Sequence, residues 1–185
     1  MAVEEPRFPL GPGAELRPLR FEDAEELFAV TDRNRERLRE WLPWVDKTRT
    51  ADDTRAFIES TLESDGKELT FGVVVDGALV GAIGMSIEPE NRSAMIGYWL
   101  AAEFEGRGLM TEATRVLCDQ AFGTLGLHRV WIGADPANAL SWAIPERLGF
   151  KPEGVFREDT FFGGKFRDSV IYGMLEDEWR SGSLE

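Results

Sequence analysis

The sequence is poor in the residues that build metal centres and nucleophilic triads. Its 185 residues include one cysteine, Cys118, and one histidine, His128. A single cysteine excludes an intramolecular disulfide and any cysteine-based metal cluster. Cys118 falls mid-helix among apolar residues and reads as an inert, buried thiol. A single histidine excludes a His metal site and a conventional Ser-His-Asp triad, so no metal is expected. His128 opens a strand and reads as structural. No hydrophobic run approaches the length of a transmembrane helix, and the start lacks the basic-then-apolar signal pattern, so the expected location is cytoplasmic. Positive charge is also scarce: 21 basic against 34 acidic residues give a formal charge of -13. That balance argues against nucleic acid and anionic membranes as partners. It suits an amine substrate, cationic before reaction, although solubility is the simpler explanation. Repeats, linkers and low-complexity segments are missing too. With 43% apolar and 30% charged residues, the chain reads as one soluble domain over residues 1–185.

Hydrophobic periodicity and turn signals give an order of elements. Pro6, Pro9, Pro12 and Gly13 predict an irregular start, before a first strand over residues 14–19. Helical spacing follows through Ala24, Leu27 and Phe28, and again through Leu38 and Trp41 until Pro43 ends it. Thr50 with Asp53 three residues on is a relative of the capping box. The helix it opens should run to about Ser64, with Phe57, Ile58 and Leu62 on its buried face, and Asp65-Gly66 should close it. Residues 69–75 and 79–87 flank Asp76-Gly77, a strong hairpin signal. A polar turn, Glu88 to Arg92, leads into a strand over 93–100. A helix over 109–122, a strand over 129–134, a short helix broken at Gly149 and two strands over 150–157 and 166–174, with Gly163-Gly164 between them, complete the chain. The fold class expected is α/β (α+β): a mixed sheet with helices on both faces.

The stretch around which these elements are organised is Ile96-Gly97-Tyr98-Trp99-Leu100-Ala101-Ala102-Glu103-Phe104-Glu105-Gly106-Arg107-Gly108-Leu109-Met110-Thr111-Glu112-Ala113. A strand empties through two glycines into a helix N-terminus. The amides of a first helical turn and the helix dipole there favour an anion, and glycines let a phosphate approach the backbone. A Walker A loop would need a Lys-Ser or Lys-Thr that is missing. A Rossmann fingerprint would need a glycine at Thr111 and a place in the first βαβ unit.

The same stretch resembles the coenzyme A pyrophosphate loop of the GNAT superfamily of N-acetyltransferases, Arg/Gln-x-x-Gly-x-Gly/Ala. Glu105 departs from it where Arg or Gln is usual, and Met110 where Gly or Ala is usual. A second stretch, Asn138 to Phe150, resembles the segment after the next strand in the ribosomal-protein acetyltransferase (RimJ/RimL-like) branch. So do Trp41-Leu42-Pro43-Trp44, Gly97-Tyr98-Trp99-Leu100, Thr111-Glu112-Ala113, Glu153-Gly154 and Glu178-Trp179. The matches occur in order along nearly the whole chain. The resemblance implies a GNAT fold, with a mostly antiparallel sheet and a splayed parallel strand pair near residues 97–100 and 130–134. It implies acetyl-CoA as co-substrate and acetyl transfer to a primary amine, foremost a protein N-terminal amine. A small-molecule amine (polyamine, amino acid or antibiotic) and a non-catalytic coenzyme A sensor are the alternatives, and relatives are monomers or homodimers.

Roles follow from what the transfer needs. Gly106, Arg107, Gly108, Leu109, Met110 and Thr111 would offer backbone N–H groups to the pyrophosphate, and Arg107 a charge. A backbone N–H near Leu100 or Ala101 would serve as the oxyanion donor. By the resemblance, Asn138 binds the pantetheine arm and Ser141, one helical turn on, approaches the coenzyme sulfur; either could instead be an N-cap. Pro145 removes the amide that would bond the Ser141 carbonyl, so an irregular first turn is expected. Many relatives carry a Glu near the start of the central strand, where Met95 stands here. Glu88 and Glu103 are the remaining carboxylate candidates for the base, with Glu88 preferred because Glu103 would repel phosphates; a water chain, or an amine arriving neutral, also fits. The connector with Trp41 and Trp44 borders the acceptor groove in the family. Trp44 is the better candidate for acceptor contact, and Trp41 also fits core packing.

Overall fold

A hairpin built on a proline edge begins the fold. In the computed structural model, which describes residues 5–182, strand β1 (Phe8–Gly11) pairs antiparallel with β2 (Ala14–Pro18). This corrects the expectation of an irregular start. Proline lacks an N–H but is tolerated on an edge strand, and β1 is the edge of the sheet.

The other strands are β3 (Glu68–Val75), β4 (Ala78–Glu88), β5 (Ser93–Leu100), β6 (Arg129–Ala134), β7 (Lys151–Phe162) and β8 (Lys165–Leu175). Their hydrogen-bonded order is β1-β2-β3-β4-β5-β6-β8-β7. The helices are α1 (Ala24–Arg33), α2 (Arg35–Leu38), α3 (Ala51–Leu62), α4 (Leu109–Asp119), α5 (Ala139–Arg147) and α6 (Glu176–Gly182). The result is a mixed α/β fold with a mostly antiparallel eight-stranded sheet. Its parallel pair, β5 with β6, is registered only over Ser93–Met95 against Arg129–Trp131. Beyond Met95, β5 runs on to Leu100 while β6 keeps its antiparallel register with β8 as far as Ala134. That early end to the parallel ladder is what a splayed pair requires.

The chain forms two compact units. The first takes the chain as far as Gly84 together with Tyr98–Ala113, and the second takes Met85–Gly97 and everything from Thr114 onward. In the first, Leu19, Ala24, Leu27, Ile58, Val74, Leu79 and Ala82 form a buried cluster against which Trp99 packs. The α3 cap is a full capping box: the Thr50 side chain accepts from the Asp53 amide, and the Asp53 carboxylate accepts from the Thr50 amide at 2.9 Å. The buried face of α3 is narrower than expected. Thr54 and Ile58 are covered, while Phe57 and Leu62 are 49% and 61% exposed. The β3–β4 turn has Asp76 and Gly77 at φ 50° and 85°, the left-handed pair of a type I′ hairpin. In the second unit, β7 and β8 are longer than expected. Register shifts after Pro152 and Phe156 bend β7, and Glu158 takes φ 55° at the second of them. Cys118 is fully buried, and burial pushes its thiol far above the ordinary range, consistent with an inert role.

Candidate functional site

In the first unit, β5 ends at Leu100, a short 3-10 turn covers Ala102–Phe104, and the glycine loop leads into α4. Gly106 and Gly108 take φ 72° and 77°, which a side chain would strain. A Cβ on either would meet nothing within 4 Å, so the space beside the loop is open. The Glu112 amide closes the first turn onto the Gly108 carbonyl at 3.0 Å. The N-terminus of α4 thus opens directly out of the glycine loop, and the helix dipole at that end favours an anion. Leu109 and Met110 are buried, so they can reach a ligand only through the backbone; Thr111 is half-buried. Burial also accounts for Met110 at a position where the family pattern has a small residue. Arg107 is exposed, donates to the Glu103 carbonyl at 2.8 Å and stacks over the Phe104 ring at 4.7 Å. Glu103 is thus a surface turn residue.

The end of β5 is tightly bonded. The Ala101 amide donates to the Val80 carbonyl at 2.8 Å. That N–H is committed within the sheet, which leaves Leu100 as the better of the two oxyanion candidates. The Leu100 carbonyl accepts from the Arg37 guanidinium, which also pairs with Glu105. The Ala102 amide donates to the Asn34 side-chain oxygen at 3.0 Å. Neither Asn34 nor Arg37 stood out in the sequence, because their targets lie more than sixty residues away.

Trp44 is 36% exposed, with its ring centroid 6.1 Å from that of Trp99. Trp41 is half-buried. The connector carrying both is braced by Arg35, which donates to the carbonyls of Val45 (2.5 Å) and Thr48 (2.7 Å). A depression of about 500 Å³ beside it is lined by Asp32, Arg35, Arg39, Asp46 and Arg49, several of which pair with one another.

In the second unit, the loop from β6 to α5 carries the other candidates. Asn138 is the N-cap of α5: its side-chain oxygen accepts from the Ser141 amide at 3.2 Å. The Ser141 amide also bonds the Asn138 carbonyl at 3.0 Å, a three-residue closure. The Trp142 amide bonds the same carbonyl at 3.2 Å, so the first turn also carries its ordinary four-residue bond, and the helix runs through Pro145 to Arg147, against the expectation of an irregular first turn. The cap uses the amide oxygen of Asn138 and not its NH₂ group. Upstream, Asp135 accepts from the Ala137 amide at 2.8 Å and pairs with Arg167 of β8 at 3.0 Å, both side chains less than a fifth exposed. This pair ties the loop to β8.

Glu88 lies at the end of β4, exposed, and accepts from Asn91 at 3.1 Å and from the Ser93 hydroxyl at 3.5 Å. Its carboxylate is occupied by the turn that opens β5, whereas the glycine loop follows the other end of that strand. Met95 is 36% exposed. Among the described residues, no group of three or more His, Cys, Asp or Glu could hold a metal ion, and no helix is long and apolar enough to cross a membrane.

The family model described as "Acetyltransferase (GNAT) domain" matches residues 14–151. The chain is 39% identical over 168 residues to the Bacillus subtilis protein named "Putative ribosomal N-acetyltransferase YdaF", covering 89% of this chain and 92% of the relative. It is 28% identical over 177 residues to the spermidine N(1)-acetyltransferase of Escherichia coli (strain K12), covering 92% and 90%. Among solved structures, RimJ of Mycobacterium smegmatis in complex with CoA-disulfide aligns with a TM-score of 0.83 at 27% identity, covering 95% of this chain and 88% of that one.

Proposed function

This chain belongs to the GNAT acetyltransferase family and is an acetyl-CoA-dependent N-acetyltransferase; from that premise we propose that its acceptor is a protein N-terminal amine. The observation that carries the proposal is the 39% identity, along most of both chains, to a relative named as a ribosomal N-acetyltransferase. The whole chain acts as one catalytic domain in this reading, which the family match supports by spanning parts of both units.

The residues take the following parts. The α4 first-turn amides and the open face of Gly106 and Gly108 receive the pyrophosphate, held by backbone groups. The Asn138 NH₂, left over from the cap, donates to the pantetheine arm. The acceptor nitrogen attacks the thioester carbonyl carbon, and charge develops on its oxygen, where the Leu100 N–H stabilises it. The C–S bond then breaks, and the Ser141 hydroxyl donates to the sulfur as negative charge collects there. A thiol with a reference pKa of about 8.5 needs only that modest help to leave. The amine proton passes to water, because Glu88 is engaged in its turn. Trp44 borders the acceptor. A cytoplasmic site of action fits such an acceptor.

A small cationic amine is the second reading, favoured by the spermidine acetyltransferase relative and by the charge of -13. The test is release of free coenzyme A thiol across an amine panel. Peptides with N-terminal Ser, Ala or Met should turn over faster than spermidine, free amino acids and aminoglycosides. Preference for a small amine would transfer the assignment to the second reading. Coenzyme binding without thiol release on any amine would support a sensor instead.

A further inference from the structure

We infer that Arg37 is a positioning residue for the acetyl donor: it cancels the charge of Glu105 at the mouth of the glycine loop and fixes the backbone that carries that loop. The inference rests on reading the loop as the pyrophosphate site.

Segment 100–105 joins β5 to Gly106, and two side chains from the α1–α2 junction hold it. Asn34, 8% exposed, has both ends of its amide assigned. Only its NH₂ can donate to the Val30 carbonyl, at 3.0 Å, and only its oxygen can accept from the Ala102 amide, at 3.0 Å. Arg37 bonds the Leu100 carbonyl with one terminal nitrogen and the Glu105 carboxylate with the other. Its Nε is buried without a hydrogen-bond partner, so those two acceptors orient the guanidinium. A planar fork suits this double duty, because it spans two acceptors in a fixed geometry.

Glu105 directly precedes Gly106. An uncompensated carboxylate there would repel two phosphates received by the next few amides. Arg37 and Glu105 together carry no net charge, and both are about one-third exposed, so the pair can act on a ligand beside it. Arg37 thus makes an acid tolerable at the threshold of an anion site, and Asn34 keeps the same segment in register with α1.

The test is steady-state kinetics with acetyl-CoA varied, together with thermal melting, on Arg37→Gln, Arg37→Lys, Glu105→Gln and Arg37→Gln/Glu105→Gln. Gln keeps an N–H for the Leu100 carbonyl but no charge; Lys keeps the charge. Arg37→Gln should raise the KM for acetyl-CoA by about five- to tenfold, the scale of one charge–phosphate repulsion at a partly exposed site, with kcat changed less than KM. Arg37→Lys should keep a KM within about twofold of the parent, since the compensating charge survives. Glu105→Gln alone should leave KM unchanged or lower. The double variant should recover most of the KM while melting no higher than Arg37→Gln. A lower Tm for Arg37→Gln with an unchanged KM, or a double variant that keeps the full KM defect, would overturn the inference. Gly108→Glu separates the two levels. If it retains the parental KM, the loop is not the pyrophosphate site; if it loses donor binding while Arg37→Gln does not, only the role of Arg37 fails.

Discussion

Asn138 and Ser141 sit in one helical turn, and single substitutions can separate what each does. Asn138 has two functional ends. Its oxygen caps α5 through the Ser141 amide, and its NH₂ is the group proposed to hold the pantetheine arm. Asn138→Ala removes both. Losing the cap costs about 1 kcal/mol, which for a chain of this size lowers Tm by roughly 2–4 °C. Asn138→Asp keeps a capping oxygen, favoured beside the N-terminus of a nine-residue helix, but cannot donate. It should melt like the parent and still show a raised KM for acetyl-CoA, with kcat falling less, because the arm is held in ground state and transition state alike. Ser141→Ala keeps the amide that meets the Asn138 oxygen, so the cap itself survives and kcat is the readout. The Ser141 hydroxyl is the group proposed to donate as charge develops on sulfur. Losing about 1.5–3 kcal/mol of a hydrogen bond to a charged group lowers kcat by about ten- to a hundredfold at nearly constant KM. Melting curves and initial rates on the same preparations read all three. A parental kcat in Ser141→Ala, or a parental KM in Asn138→Asp, would refute the assignment of roles.

Asp23 is held by the Arg17 guanidinium at 2.6 and 2.8 Å and by the Arg20 amide at 2.7 Å, with both side chains about one-tenth exposed. Asp23→Ala strands Arg17 and should cost about 3 kcal/mol in urea unfolding, as for other buried pairs broken on one side. Burial alone would raise the Asp23 carboxyl, but the Arg17 and Arg20 bonds together outweigh it and hold it below the usual range. Its contribution is therefore full at neutral pH and drains as pH falls below about 4, toward the depressed folded value; an Asp23→Ala chain whose stability falls as steeply in that window would contradict this. Glu88→Gln should leave the pH–rate profile in place, since that carboxylate serves its turn; loss of the basic limb would restore Glu88 as the base. A chelator should leave activity unchanged, and loss restored by a single divalent ion would show a metal requirement.

The elements that sequence reading placed well are those with local causes. The 93–100 and 129–134 strands, the Thr50–Asp53 capping box and the Asp76-Gly77 hairpin each depend on residues within a few positions of one another. Strand β1 escapes the sequence reading because three prolines outweigh an edge position that only the finished sheet reveals. Phe57 and Leu62 were placed inside because helical spacing sets which residues share a face but not how much of that face is covered. In α3 the covered row is Thr54 and Ile58, one turn apart, and an apolar residue at its margin stays in water.

The candidate site divides along the same line. Gly106 and Gly108 could be read directly, because left-handed backbone and an open approach leave glycine as their signature. The cap at Asn138 is legible as one of two readings, and it occupies only the oxygen of the amide, which leaves the NH₂ for the proposed second role. Arg37 was not legible as a contact: nothing near it in sequence distinguishes it from any other helical arginine. Its trace was indirect and lay in Glu105, an acid where the family pattern has a basic or neutral residue. A carboxylate at the entrance to a phosphate site creates an electrostatic cost that some cation must offset, and Arg107, the nearest one in sequence, is turned toward the Glu103 carbonyl and the Phe104 ring. The departure from the pattern therefore implied a distant partner without naming it. Only the fold, by bringing α2 against the end of β5, supplies Arg37 as that partner.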